Sequence, residues 1–183
     1  MRKILYLAIT STILFTSCTK NVSGTSGVFI NPLDIETAEE TGFLTPAVVF
    51  FPATAATNVG GGVTLDIHAM DVDSIAGSHI QVSYNKAKLT LLSLSQGSFY
   101  DGAPEMLFYY EDDTNLGLID IYSGFLGVDS SSVSGTGQLA SMVFTTISAG
   151  LSIVTFTVLS EFVDPQDNPI EILGYGVSEV VAE

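Results

Sequence analysis

Positive charge is scarce in this chain. Its 183 residues include five Lys and Arg against twenty Asp and Glu, which gives a net charge of −15. Nucleic-acid phosphates and anionic lipid headgroups are bound mainly through Lys and Arg. The composition therefore argues against binding to nucleic acid through its phosphates and against electrostatic docking on an anionic membrane.

Residues that bind metals or act as catalysts are also few. The chain has one Cys and two His, so it can form no internal disulfide, no multi-cysteine zinc or iron–sulfur site and no three-histidine metal site. It contains neither the Gly-x-Ser-x-Gly motif that presents a hydrolase nucleophile nor an Asp-x-Asp-x-Asp-Gly calcium loop. We therefore expect neither catalysis nor a bound cofactor or metal.

The N-terminal residues have the layout of an export signal. Residues 1–17 read MRKILYLAITSTILFTS, with a basic pair, an apolar run and small residues at the end. The apolar run is too short to cross a bilayer, which takes ~20 residues. The only cysteine, Cys18, stands at the expected cleavage point. This arrangement resembles a bacterial lipoprotein signal, in which the cysteine is lipidated, and it predicts an exported domain held by lipid at the cell envelope. An ordinary signal peptide that contains a cysteine is the alternative.

The rest of the chain divides into a tether and one domain. Residues 18–44 are rich in Ser, Thr, Gly and acids, and we interpret them as a flexible tether. Residues 45–183 consist of short, often alternating apolar runs such as VTLDIHAM and HIQVSY, separated by turn residues. No amphipathic helix of useful length is evident. The pattern predicts an all-β fold, an antiparallel β-sandwich of about nine strands with jelly-roll topology.

Alternation also predicts which side chains face the core. His68 is expected on an outer face, as an exposed polar residue. In the run 118–122, Ile119 and Ile121 would face inward, and Leu118, Asp120 and Tyr122 outward. The opposite register, which buries Leu118 and Tyr122, is the alternative. The side chains that we expect to be buried elsewhere are Val63, Leu65, Ile67, Ile80, Val82, Ala140, Met142 and Phe144.

Several motifs in residues 45–183 occur in an order that resembles the cohesin domain, the module that captures dockerins in cellulosome-type assemblies. They are a glycine turn leading into an alternating strand, a strand that ends in tyrosine, a Leu-rich strand, a glycine turn before a second alternating strand, and an acidic loop. These motifs occupy residues 60–67, 79–84, 89–97, 134–144 and 162–170. The chain departs from the family at Asn85-Lys86, where Asp-Pro is usual, and at His79, where an Asp that contacts dockerin is common.

The resemblance implies a non-catalytic receptor whose partner is a dockerin-type protein module. The face that cohesins use would here be built from residues 79–84, 108–111, 118–122 and 153–158. Calcium would belong to the dockerin, because dockerins fold around it. On this face the expected partner-binding residues are His79, Gln81, Ser83, Tyr109, Leu118, Asp120 and Tyr122.

Two other functions are compatible with the sequence. A carbohydrate-binding module on a lipid tether could bind polysaccharide through an array of exposed aromatics, and the candidates are Phe99, Tyr100, Tyr109, Tyr110 and Tyr122. The absence of Trp weighs against such a platform, although Tyr can also stack on a sugar ring. A structural envelope domain without a specific ligand is the third possibility.

Overall fold

Alternating apolar and polar residues form strands throughout the described part of the chain, in which no helix occurs. The computed structural model describes Leu33 and residues 42–101, 106–126 and 131–183. The strands are β1 (Ala47–Phe51), β2 (Thr54–Thr57), β3 (Gly62–Ile75), β4 (Gly77–Ser83), β5 (Leu89–Gln96), β6 (Met106–Asp113), β7 (Leu118–Phe125), β8 (Val133–Thr146), β9 (Gly150–Phe156), β10 (Glu161–Val163), β11 (Pro169–Ile170), β12 (Gly174–Tyr175) and β13 (Val177–Ala182).

The strands form two sheets. The smaller sheet has the order β12-β1-β3-β8-β5. In the larger sheet, β6 pairs with β7 and β7 with β4, while the other edge of β4 pairs with both β9 and β10. Strand β9 pairs with β13, and β13 with β2. Strand β10 pairs with β11. The inward-facing residues of both sheets supply the core between them.

The chain passes from one sheet to the other near each end of the domain. Strands β1 and β2 lie in different sheets although only Pro52 and Ala53 separate them. Strands β12 and β13 likewise change sheets across Gly176, where an added Cβ would lie 2.8 Å from the Cα of Val49. Only glycine allows the two backbones to approach so closely. Each crossing creates one parallel pair, β1 with β12 and β13 with β2.

The structure confirms the predicted all-β sandwich. Nine of the described strands have five or more residues, and four shorter strands join them at the sheet edges and crossings. The two parallel pairs depart from the purely antiparallel arrangement that we expected. All eight residues predicted to be buried are at most 5 % exposed. The core includes a stacked pair, Phe50 and Phe156, whose ring centroids lie 4.0 Å apart.

The outer face of the smaller sheet is more covered than the alternation suggested. His68 was expected to be exposed but is only partly accessible, with Phe51 packed edge-on against its ring at 6.5 Å. Its Nδ1 is buried and has no hydrogen-bond partner within the described residues. Burial lowers the pKa of His68, because the charged imidazolium would lose hydration there.

A second cluster of apolar residues lies on that outer face. Met70 also faces outward but is fully buried with Ala47 and Val49, and Leu33 and Phe43 pack against the three. These two residues are described parts of the predicted tether. Within the predicted tether, the structure describes only Leu33 and residues 42–44. The rest of the tether, the signal peptide and Cys18 lie outside the described residues, so those assignments stay predictions.

Candidate protein-binding face

The four segments expected to build one face are neighbours in the larger sheet. Their order is β6-β7-β4-β9. Strand β7 has the predicted register, because Ile119 and Ile121 are buried in the core whereas Leu118, Asp120 and Tyr122 point to the outer face. The alternative register, with Leu118 and Tyr122 inside, is wrong. We call the outer side of these four strands the binding face.

Three rings cross the binding face in one row, which we call the aromatic ladder. Tyr109 on β6 pairs with Tyr122 on β7, and Tyr122 pairs with His79 on β4. The His79 and Tyr122 rings stack with centroids 4.6 Å apart, and Tyr109 and Tyr122 stack at 6.2 Å. Cross-strand pairs of this kind stabilise a sheet and limit the motion of their side chains.

A row of polar residues lies beside the ladder on the same face, two residues farther along each strand. It consists of Glu111, Asp120 and Gln81. Asp120 Oδ1 accepts hydrogen bonds from His79 Nε2 at 2.7 Å and from Gln81 Nε2 at 2.8 Å. Gln81 Oε1 in turn accepts the Thr157 hydroxyl at 2.8 Å, and the Gln81 backbone N–H donates to Ser160 Oγ. Asp120 therefore orients both neighbours.

Gln81 itself is only 9 % exposed, because the turn between β9 and β10 folds over it. Gln81 therefore links Asp120 to the turn by hydrogen bonds and offers little surface to a partner. Ser83 and Leu118 pair in the next row and are both partly exposed, so the structure places them on the same face.

The pKa values of the two tyrosines of the ladder are raised. The Tyr109 hydroxyl donates to Glu111 Oε1 at 2.6 Å, and this hydrogen bond raises the pKa of Tyr109. Burial, together with the charges of Asp120 and Glu111, raises the pKa of Tyr122. Tyrosine is already neutral at physiological pH at its ordinary pKa, so both phenols are neutral hydrogen-bonding groups on this face.

Exposed aliphatic residues that are not among the seven expected partner-binding residues extend the face. Leu107 on β6 and Ile153 on β9 are both outward and nearly half exposed. In the turn after β9, Val158 is 91 % exposed and Leu159 is 59 % exposed. The outward positions of β9 could have been found from its alternation. The exposure of Val158 and Leu159 could not have been predicted, because the apolar run in the sequence does not show where the strand ends and the turn begins.

The described ranges hold neither a metal-binding cluster nor a membrane-spanning helix. They contain no group of three or more His, Cys, Asp or Glu side chains placed to hold a metal ion. They also contain no helix long and apolar enough to span a membrane.

Comparison with known proteins identifies the fold. The family model for the cohesin domain matches residues 48–173. A type II cohesin domain from the cellulosome of Acetivibrio cellulolyticus is 14 % identical, with a TM-score of 0.64 over 74 % of this chain and 95 % of that one. A non-cellulosomal cohesin from the archaeon Archaeoglobus fulgidus is 19 % identical, with a TM-score of 0.59 over 74 % and 92 %.

A third solved structure contains a complex. It is a type I cohesin–dockerin complex from Clostridium thermocellum, in which the matched chain is 17 % identical, with a TM-score of 0.59 over 75 % of this chain and 94 % of that one. No curated protein matches the chain.

Proposed function

This chain belongs to the cohesin family, and we propose that it is a non-catalytic receptor that binds a dockerin-type protein module through its binding face. The observation that carries the proposal is the aromatic ladder of Tyr109, Tyr122 and His79, in which Asp120 holds the His79 ring by a hydrogen bond. Ordered aromatic anchors with a few polar groups are typical of the centre of a protein interface.

The surroundings of the ladder support a protein partner. Exposed Leu107 on β6 lies one row from the ladder, and exposed Val158 and Leu159 lie in the β9–β10 turn that covers Gln81, with Ile153 farther away on β9. Such a patch excludes water around the central anchors when a partner docks. Because the chain is strongly acidic, we expect Lys or Arg at the rim of the partner. Calcium is expected within the dockerin.

The ladder geometry disfavours the carbohydrate-binding alternative. A sugar ring stacks on an open aromatic face, but Tyr122 has His79 against one face and Tyr109 against the other. Tyr100, a further candidate for a sugar platform, is 1 % exposed, and Phe99 is 8 % exposed. Retention on an insoluble polysaccharide remains the observation that would favour this function.

We further propose that lipid on Cys18 holds the domain at the cell envelope. This rests on the signal-like residues 1–17 and on the single cysteine that follows them. A lipid-anchored cohesin would retain a secreted enzyme or adhesin at the cell envelope.

The test begins with capture by the full chain of protein secreted by the same cells, with and without a calcium chelator. Captured proteins are identified, and their dockerin modules are produced separately for titration by calorimetry. We expect saturable binding that the chelator abolishes. Capture of no dockerin-containing protein, combined with chelator-independent retention on polysaccharide, would contradict the proposal.

A further inference from the structure

A trench runs across the larger sheet, beside the aromatic ladder. In the row next to the ladder, Leu107 pairs with Gly124, Gly124 with Gly77, and Gly77 with Val163. Two adjacent outward positions therefore carry no side chain. The depression between the ladder and Val163 has a volume of about 500 Å³.

The floor of the trench is firmly supported. Directly beneath the glycines, Ser78 and Ser123 pair across β4 and β7, with their hydroxyl oxygens 2.8 Å apart. The buried Tyr100 hydroxyl donates to Ser78 Oγ at 3.2 Å. Because this polar cluster is internally satisfied, the floor is preorganised and need not rearrange when a group enters.

The walls of the trench differ in chemistry. The rings of Tyr122 and His79 form one side, and Val163 and Pro165 form the other. Glu161 and the carboxylates of the β10–β11 hairpin, Asp164 and Asp167, line its end. No Lys or Arg lines it among the described residues.

The Asp164 carboxylate is ionised and positioned. Asn168 donates to it through both its side-chain amide and its backbone N–H, and these bonds lower the pKa of Asp164. Glu161 accepts no side-chain hydrogen bond from the described residues, so its carboxylate is available to a ligand.

We infer that this trench receives an arginine side chain of the docked partner, an inference that rests on the proposed dockerin binding. The trench suits a group with a long apolar stem and a cationic end. The methylene stem would lie over Gly77 and Gly124, where no side chain obstructs it. The planar guanidinium would lie near the rings and donate to Glu161 and Asp167, because its fork of N–H groups suits carboxylates.

The first test needs no dockerin. N-acetyl-arginine methylamide is titrated into the ¹⁵N-labelled full chain, and the neutral isostere N-acetyl-citrulline methylamide is titrated in parallel. We expect the backbone amide signals of Gly77 and Gly124 to shift as the arginine probe is added, and the shifts to saturate. The citrulline probe should bind at least about tenfold more weakly, a difference of ~1.4 kcal/mol. Equal effects of both probes, or none, would overturn the inference.

Matched variants locate the site. Gly77→Leu should abolish the arginine-dependent shifts, since its side chain would fill the trench. A Cβ there meets only the Val163 methyl closely, at 3.2 Å, so the backbone can be retained. If Gly77→Leu does not fold, the double variant Glu161→Gln, Asp167→Asn tests the same point and should weaken arginine binding about tenfold. Glu179→Gln, on β13 of the same outer face, is the control and should change nothing.

Affinity measurements with a dockerin that binds the chain test this inference and the proposed function separately. If Gly77→Leu and the double variant weaken that dockerin about tenfold and replacing one dockerin arginine by alanine has the same, non-additive effect, the inference is supported. If Tyr122→Ala weakens the dockerin but the trench variants do not, the proposed function stands and the trench inference falls. If the arginine probe binds but no dockerin does, the trench still accepts arginine and the proposed function falls.

Discussion

The imidazole of His79 lies flat against the phenol ring of Tyr122, with the two planes 5° from parallel, while its Nε2 contacts Asp120 Oδ1 at 2.7 Å. The ring is therefore held on one face and at one edge by residues of the neighbouring strand. A partner that docks on this surface meets side chains whose rotational freedom is already reduced, so less entropy is lost on binding.

Tyr122→Ala should weaken dockerin binding by ~2 kcal/mol or more without unfolding the domain. The variant removes the middle ring of the ladder, and truncated anchors at an interface centre have costs of this size. Tyr122 is 36 % exposed, so its removal leaves the core intact. Tyr175→Ala is the matched control, because Tyr175 is equally exposed but lies on the other sheet. Calorimetric titration should show normal affinity for Tyr175→Ala, and equal losses would contradict the proposed face.

Asp120→Ala should weaken binding less than Tyr122→Ala, by ~1 kcal/mol. Its carboxylate orients His79 and Gln81, so its loss frees both side chains instead of removing an anchor. Asp120→Asn retains an oxygen acceptor at the same place and should restore part of the affinity. The His79 ring resonances, followed by NMR, should broaden or shift in Asp120→Ala. Unchanged His79 signals together with full affinity would show that this network plays no part.

Acid should destabilise the domain through His68. Burial lowers the pKa of His68 in the folded state below its ordinary value of 6.5. Between these two pKa values the unfolded chain binds more protons than the folded one, so stability falls as the pH drops below about 6.5. His68→Leu removes this term, and its thermal midpoint should fall less than that of the native chain between about pH 7.5 and about pH 5. Parallel pH profiles for the two proteins would assign the acid sensitivity to other groups.

Phe50→Ala should cost ~3–5 kcal/mol of unfolding free energy, because it removes a fully buried ring stacked on Phe156. Phe51→Ala, at the next position in the chain, should cost less than ~1 kcal/mol, since Phe51 is 49 % exposed. Urea denaturation followed by circular dichroism measures both. Similar losses in the two variants would be inconsistent with the register of β1.

Cys18→Ala should release the domain from membranes. The prediction follows from the apolar run in residues 1–17, which is too short to span a bilayer. Membrane fractionation with a high-salt wash, and metabolic labelling with a fatty-acid analogue, are the measurements. A variant that remains with the membrane after the wash would rule out lipid on Cys18 as the anchor.

Much of the binding face could be anticipated from local pattern. Alternation placed Ile119 and Ile121 inside and Tyr122 outside, since successive side chains of a strand point to opposite faces. The resemblance to cohesins suggested which strands would be neighbours, and β6, β7, β4 and β9 are adjacent. Gln81 shows the limit of this reasoning. It occupies an outward position, yet the β9–β10 turn covers it. The alternation of apolar and polar residues does not show which turn folds over which strand.

By itself, the sequence determined the all-β class, the faces of the main strands and the excess of acid, because all three depend on composition and on neighbours along the chain. Only the tertiary structure decided which residues meet across strands. The stack of His79 on Tyr122, the adjacent glycines Gly77 and Gly124, and the covered His68 each depend on pairing or packing between distant segments. A shift of one residue in any of these pairings would turn the side chains to the opposite face, so the register of the sheets creates both the aromatic ladder and the trench.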